Sequence, residues 1–251
     1  MIYFIGAGPG DKELITIKGR RILSEADCVI YAGSLVNTEL LEYTKPGCNL
    51  YDSSKMTLEE ITETALRNEE AGLTTARLHT GDPSIYGAIR EQMDILAERG
   101  ARFEVIPGVS SFTAAAAAIG AEYTLPGVSQ TVILTRMEGR TPVPQRERIS
   151  ELAKIRASMA IFLSAGMLAE LSEELMRGGY EAETPAAIVY KATWPDEKAI
   201  ITTVGELPNA GRESRVEKTA VILVGNFLSS KYERSFLYNP SFTHGFRAGI
   251  E

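Results

Sequence analysis

Three glycine-bearing segments and two charged ones hold the residues of this sequence best suited to chemistry. Gly6-Ala7-Gly8-Pro9-Gly10-Asp11 follows an apolar run at residues 2–5. Glycines placed between a strand and a helix let backbone approach a ligand closely. A dinucleotide fingerprint would need glycine at position 11, where this chain has Asp11, and Pro9 removes a backbone donor that a pyrophosphate would use. A tight turn with no ligand is the plain alternative. Thr80-Gly81-Asp82-Pro83 ends another apolar run, and Ser84-Ile85-Tyr86-Gly87 follows. Asp82 suits a helix cap and Pro83 a first helical position. Gly81 also leaves main chain open to a ligand, and a carboxylate there suits ribose hydroxyls or an amino-acid group. Tyr86 falls off the apolar stripe of the following helix and faces either a cleft or solvent. In Ile106-Pro107-Gly108-Val109-Ser110-Ser111, Ser110 suits the cap of an alanine-rich helix, whose start would also stabilise a ligand carboxylate. Three such loops at the same ends of neighbouring strands are more informative than any one.

Residues 136–148 carry Arg136, Arg140, Arg146 and Arg148, with Glu138 and Glu147 interleaved and Pro142 and Pro144 stiffening the stretch. Arginine's planar donors match carboxylates; a solvated, self-paired loop is the alternative. Tyr190-Lys191-Ala192-Thr193-Trp194-Pro195-Asp196-Glu197-Lys198 adds the charges of Lys191 and Lys198. There is no Ser-His-Asp set, no convincing pair of acids and no nucleophilic cysteine, so no catalytic side chain is assigned. His79 and His244 are the two histidines, and Cys28 and Cys48 match no zinc or redox spacing, so no protein metal site is expected. We read the cysteines as buried free thiols, with a single bridge between them as the alternative.

The elements that must position these loops follow from periodicity. Strands are expected at residues 2–5, 28–31, 49–51, 75–79 and 103–106. A helix is expected at 16–26, and another after the capping box Thr57-Leu58-Glu59-Glu60, ending at Gly72. A third runs from Asp82-Pro83 to Gly100 with the stripe Ile85, Ala88, Ile89, Met93, Leu96 and Ala97, and a fourth from Ser110 through the alanines. Alternation of strand and helix implies parallel pairing in an open α/β sheet. Gly120, Pro126 and Gly127 mark a linker at 120–129. A second α/β series follows, with strands at 131–135, 159–163, 187–190, 200–204 and 220–224 and a helix at 168–177. The fold class is thus α/β, as two α/β domains at 1–119 and 120–229 with a cleft between them, the first with a mainly parallel sheet. A tail at 230–251 carries Tyr232, Phe236, Tyr238, Phe242 and Phe246, expected to pack on the C-terminal domain or a partner subunit rather than to form a lid.

The chain has 251 residues, 44% hydrophobic and 24% charged, enough to bury cores without metal or disulfide staples. Its net charge of −7 argues against broad binding to nucleic acid or anionic membrane. No basic N-terminal region precedes the first glycines, and no apolar run approaches membrane-spanning length, so a cytoplasmic soluble protein is expected.

GAGPGD, TGDP and PGVSS at these separations resemble the tetrapyrrole methyltransferase family, over nearly the whole chain to about Asn226. Within that family, residues 135–144 and 190–198 look like those of precorrin-4 C(11)-methyltransferases. The resemblance implies S-adenosylmethionine as cofactor, S-adenosylhomocysteine as product, and methylation of carbon 11 of precorrin-4 or its cobalt form in cobalamin synthesis, by a homodimer. It places the cofactor in the cleft between the domains, against Pro9, Thr80, Gly81, Asp82, Ile85, Ser110, Ser111, Leu163, Ala192 and Ala220. For Leu163 and Ala220, ordinary core packing is the alternative. Tyr86, Arg136, Arg140 and Lys191 are the expected contacts to a substrate rich in carboxylates. Another acceptor on the same fold, or a nucleotide-binding oxidoreductase, is the competing reading.

Overall fold

The computed structural model describes residues 1–229 and 231–250. By contacts it divides into two compact units, Met1–Ala114 with Lys191–Glu197, and Ala115–Tyr190 with Lys198–Glu251.

The first unit is built on a five-stranded sheet whose pairings are all parallel: β1 (Ile2–Gly6), β2 (Cys28–Tyr31), β3 (Asn49–Asp52), β4 (Thr75–His79) and β5 (Phe103–Ile106), in the order β3-β2-β4-β1-β5. The chain runs outward from β1, returns to β4 beside it, then crosses to β5 on its other side. The carboxyl ends of three adjacent strands therefore carry the three glycine loops, at an edge where open α/β sheets bind ligands. Both faces are covered, as parallel sheets require. Ile5, Leu23, Val29, Leu78 and Ile106 form one core, and Ile2, Phe4, Ala65, Ile89 and Leu96 the other.

The helices start where capping chemistry puts them. α1 (Ile17–Glu25) begins after Thr16, whose hydroxyl accepts from Gly19 N–H. α2 (Leu58–Glu70) carries both bonds of the Thr57–Glu60 capping box and ends on Gly72 at φ +75°. α3 (Ile89–Glu98) departs from expectation, because the helix predicted from Asp82-Pro83 starts seven residues later than Asp82. Tyr86 at φ +55° and Ala88 at φ +48° interrupt it with left-handed backbone that no α-helix admits. α4 (Ser111–Ala118) is the alanine helix.

The second unit holds β6 (Val132–Arg136), β7 (Ser158–Phe162), β8 (Pro185–Tyr190), β9 (Lys198–Thr203) and β10 (Ala220–Val224), in the order β6-β7-β10-β8-β9. Unlike the first sheet it is mostly antiparallel: only β6 and β7 are parallel, and β7–β10, β10–β8 and β8–β9 are antiparallel. Apolar runs mark strands without marking their partners. α5 (Ile149–Leu152), α6 (Leu168–Arg177) and α7 (Leu207–Ser214) complete the unit. The sequence reading missed α7, although Pro208 near its start is a known signal. Met159, Ile161, Leu171, Leu175, Ile188 and Ile222 fill the core.

Both cysteines are free thiols; Cys28 is buried as expected, but Cys48 is only half-buried. The tail does not bury its aromatics: Tyr232, Phe236, Tyr238 and Phe246 are exposed, the last fully. Packing on the C-terminal unit therefore does not account for them. No helix among the described residues is long and apolar enough to cross a membrane.

Candidate functional site

The three loops of the first unit meet backbone to backbone. A Cβ on Gly6 would lie 2.5 Å from Gly108 Cα and 2.7 Å from Gly81 O, and one on Gly108 would lie 2.3 Å from Gly81 O. Gly8 and Gly81 exchange two hydrogen bonds, Gly81 N to Gly8 O at 2.8 Å and the reverse at 3.3 Å. Glycine is thus required here by contact between loops. Asp82 ties the second loop to the third: its carboxylate accepts from Gly108 N–H at 2.8 Å and Ser84 N–H at 2.9 Å. Burial pushes this carboxyl's pKa up, but the bonds from Ser84 and Gly108 outweigh it and hold the group below the usual carboxylate range.

The first loop is not built to cradle phosphate. Ala7 N–H donates to His79 O, Gly8 N–H to Gly81 O, and Asp11 N–H to Thr193 Oγ1, while Pro9 has no N–H to give. These donors hold the loops together, so the pyrophosphate nest of a dinucleotide site is largely spent internally.

Behind the loops lie two buried bases. Arg77 bonds Gln92 Oε1 and the carbonyls of Ile30 and Leu78, all neutral acceptors. Burial lowers its pKa to about 10, so it remains cationic at neutral pH. His79 is buried with no hydrogen-bond partner for Nε2. Burial first, and the Arg77 charge second, push it down to about 3 against a bond to the Gly87 backbone, so it is neutral.

The expected cofactor residues fall into two groups. Pro9, Thr80, Gly81, Asp82, Ile85, Ser110 and Ser111 lie on the three joined loops of the first unit, with Thr80 exposed and Ser110 buried. Ala192 is buried in the segment Lys191–Glu197, which the contacts assign to the same unit. Leu163 and Ala220 belong to the second unit. Leu163 is 69% exposed and left-handed at φ +53°, in a turn fixed by Ser164 Oγ, which donates to Phe162 O and accepts from Met137 N–H. An exposed leucine in strained backbone does not fit the core-packing alternative; such strain concentrates at functional sites. Ala220 is the buried first residue of β10, paired with Tyr190, and does fit it.

The expected substrate residues differ in how committed their groups are. Tyr86 is exposed on the left-handed turn before α3. Arg136 staples its own turn, Nη1 donating to the carbonyls of Met137 and Thr141 and Nη2 to that of Pro142. Arg148 pairs with Glu138 and Arg146 with Glu147. Arg140 is exposed and makes no hydrogen bond or ion pair among the described residues. Lys191 pairs with Asp196 at 2.7 Å and lies 5.3 Å from the Trp194 ring centre.

Trp194 and Thr193 are the residues that sequence reasoning left without a role. Trp194 Nε1 donates to Pro9 O at 2.9 Å, alongside the bond from Asp11 to Thr193. Gly10, next to both, was the available signal, but its cause is a contact 184 positions away in the chain. Among the described residues no three or more His, Cys, Asp or Glu converge as a metal would need. A depression of about 440 Å³ on the second unit, lined in part by Glu170, Gly211, Arg212 and Arg215, includes none of the expected residues.

Residues 1–208 match the model of the tetrapyrrole (corrin/porphyrin) methylases. The cobalt-precorrin-4 C(11)-methyltransferase of Methanocaldococcus jannaschii is 51% identical, over 98% of this chain and 95% of that protein. The solved structure of a cobalt-precorrin-4 methyltransferase of cobalamin biosynthesis superposes with TM-score 0.89 at 48% identity, covering 91% of this chain and 95% of that one. A uroporphyrin-III C-methyltransferase from Thermus thermophilus, solved with S-adenosylhomocysteine, gives TM-score 0.75 at 28% identity, covering 93% and 95%. Taken with three interlocked glycine loops at one sheet edge, these likenesses show that the chain belongs to the tetrapyrrole methylase family.

Proposed function

We propose that this chain transfers a methyl group from S-adenosylmethionine to carbon 11 of precorrin-4 or cobalt-precorrin-4. The observation that carries the reading is the 51% identity, end to end, to an enzyme named for that reaction. The site residues fit the cofactor. Glycine loops with little side-chain bulk let backbone approach the cofactor closely, and the exposed, strained Leu163 suits an apolar contact to adenine.

S-adenosylmethionine, when bound, supplies a methyl group already activated on a sulfonium. What remains for the protein is binding, alignment and exclusion of water, worth roughly 7–11 kcal/mol of barrier in favourable cases. Pro9, Thr80, Gly81, Asp82, Ile85, Ser110, Ser111, Leu163, Ala192 and Ala220 would hold the cofactor. With its carboxylate bonded to Gly108 and Ser84, Asp82 acts mainly by fixing the second and third loops. Tyr86, Arg136, Arg140 and Lys191 would meet the substrate. Arg140 is the best placed to take a carboxylate, because Arg136 is occupied by its turn and Lys191 by Asp196. No base is assigned. We further propose that the chain works in the cytoplasm as a homodimer, the state a sedimentation measurement would read.

The test is an incubation of purified protein with labelled methyl donor and precorrin-4, with and without cobalt, and NMR of the product. Label on carbon 11 supports the reading; label on another ring carbon, or none in either form, overturns it.

A further inference from the structure

We propose that Trp194 is a positioning residue for methyl transfer, which through Pro9 and Gly10 sets the first glycine loop against the cofactor. The proposal rests on the methyltransferase reading and assigns the role to a side chain outside the expected site.

The segment Lys191–Glu197 leaves β8, returns at β9, and packs with the first unit. It grips the glycine loop on both sides of Gly10. Trp194 Nε1–H donates to Pro9 O at 2.9 Å, and Thr193 Oγ1 accepts from Asp11 N–H at 2.9 Å. Between these bonds the indole packs against Gly10: a Cβ there would fall 2.1 Å from Cδ1 and 2.4 Å from Nε1. Gly8 in the same loop has φ +80°, whereas Gly10 needs no such angle. Glycine at position 10 is therefore explained by the indole. Asn37 Nδ2 also donates to Gly10 O at 2.9 Å, so a second segment holds the loop.

The strap is itself strained. Lys191 at φ +46° and Thr193 at φ +70° are left-handed without being glycine, Thr193 being β-branched as well. Internal bonds hold that geometry: Trp194 N–H to Lys191 O, Glu197 N–H to Trp194 O, and Thr193 N–H to Glu197 Oε2 at 2.6 Å. A segment kept strained to press an aromatic ring on a loop is what strict placement of that loop requires. When the reaction depends on alignment alone, an error near 1 Å costs on the order of 100-fold.

Trp194→Phe keeps a ring on Gly10 and removes the donor to Pro9. We expect its kcat to fall ~10-fold or more with KM for the methyl donor changed less than about threefold, and its melting temperature nearly unchanged. A second comparison reads the contact directly. Gly10→Ala should lower kcat in the native background, where Cβ meets the indole, and cost little more in a Trp194→Ala background. Trp194→Phe with kcat within twofold of wild type, or Gly10→Ala and Trp194→Ala lesions that simply multiply, would overturn the proposal. These outcomes are read in enzyme that transfers the label. A wild-type protein that transfers none overturns the methyltransferase reading and this proposal together.

Discussion

Gly108→Ala tests the interlocked loops most directly. The new Cβ would lie 2.3 Å from Gly81 O and 2.7 Å from Gly6 Cα. Ordinary contact requires roughly 1 Å more, and the neighbours are backbone that cannot swing aside as a side chain would: Gly6 ends β1, which the ladder holds in register, and Gly81, just past β4, is tied to Gly8 by two hydrogen bonds. Overpacking of this kind costs about 1–3 kcal/mol. The same displacement pulls Gly108 N–H from Asp82 Oδ2, a charge-assisted bond at 2.8 Å whose loss adds about 1.5–3 kcal/mol. The total is about 2.5–6 kcal/mol, or a drop in melting temperature of ~5–24 °C for a chain of this size. If the loops hold the cofactor, affinity for S-adenosylhomocysteine, measured by calorimetry below the melting transition, should fall at least ~10-fold, about 1.4 kcal/mol. Gly47→Ala is the control: a Cβ there meets nothing within 4 Å, but φ +82° strains any side chain, so stability falls while affinity holds. Gly108→Ala with native affinity would refute the claim that these loops form the binding edge.

Three further outcomes follow from other parts of the structure. The folded chain keeps His79 neutral, at a pKa of about 3 against 6.5 when unfolded, so the unfolded state binds the extra proton. The stability this represents is present above pH 6.5 and is lost as pH falls, by up to ~1.4 kcal/mol per unit; urea titrations should show a flatter loss for His79→Gln, and equal slopes would sink the assignment. Arg140→Ala should raise KM for the tetrapyrrole ~10-fold with melting unchanged, while Arg136→Ala should instead destabilise by ~1–2 kcal/mol by stranding the carbonyls of its turn. Steady-state kinetics and melting curves on both separate the two roles, and the reverse pattern would exchange them. Leu163→Gly should raise the melting temperature by ~2 °C through relief of left-handed strain, and weaken S-adenosylhomocysteine binding; a lower melting temperature would show the turn to be unstrained.

All ten strands were legible in the sequence to within two residues at either end, because apolar runs and glycine or proline breaks are local features. The Thr57–Glu60 box and the Gly72 terminus were legible for the same reason. So were the three glycine loops, since parallel pairing of β4, β1 and β5 puts their ends on one edge. What the chain alone did not decide left no mark in its periodicity. The left-handed turn at Tyr86–Ala88 that delays α3 and the diversion of Arg136 onto its own turn are local, whereas the antiparallel pairing of β10 and β8 joins residues some thirty positions apart. The reason for glycine at position 10 is the clearest case. Backbone freedom or a phosphate would explain it locally, but only the folded chain brings an indole from position 194 against it. Periodicity encodes which face of an element is buried; it carries no record of which distant side chain arrives there.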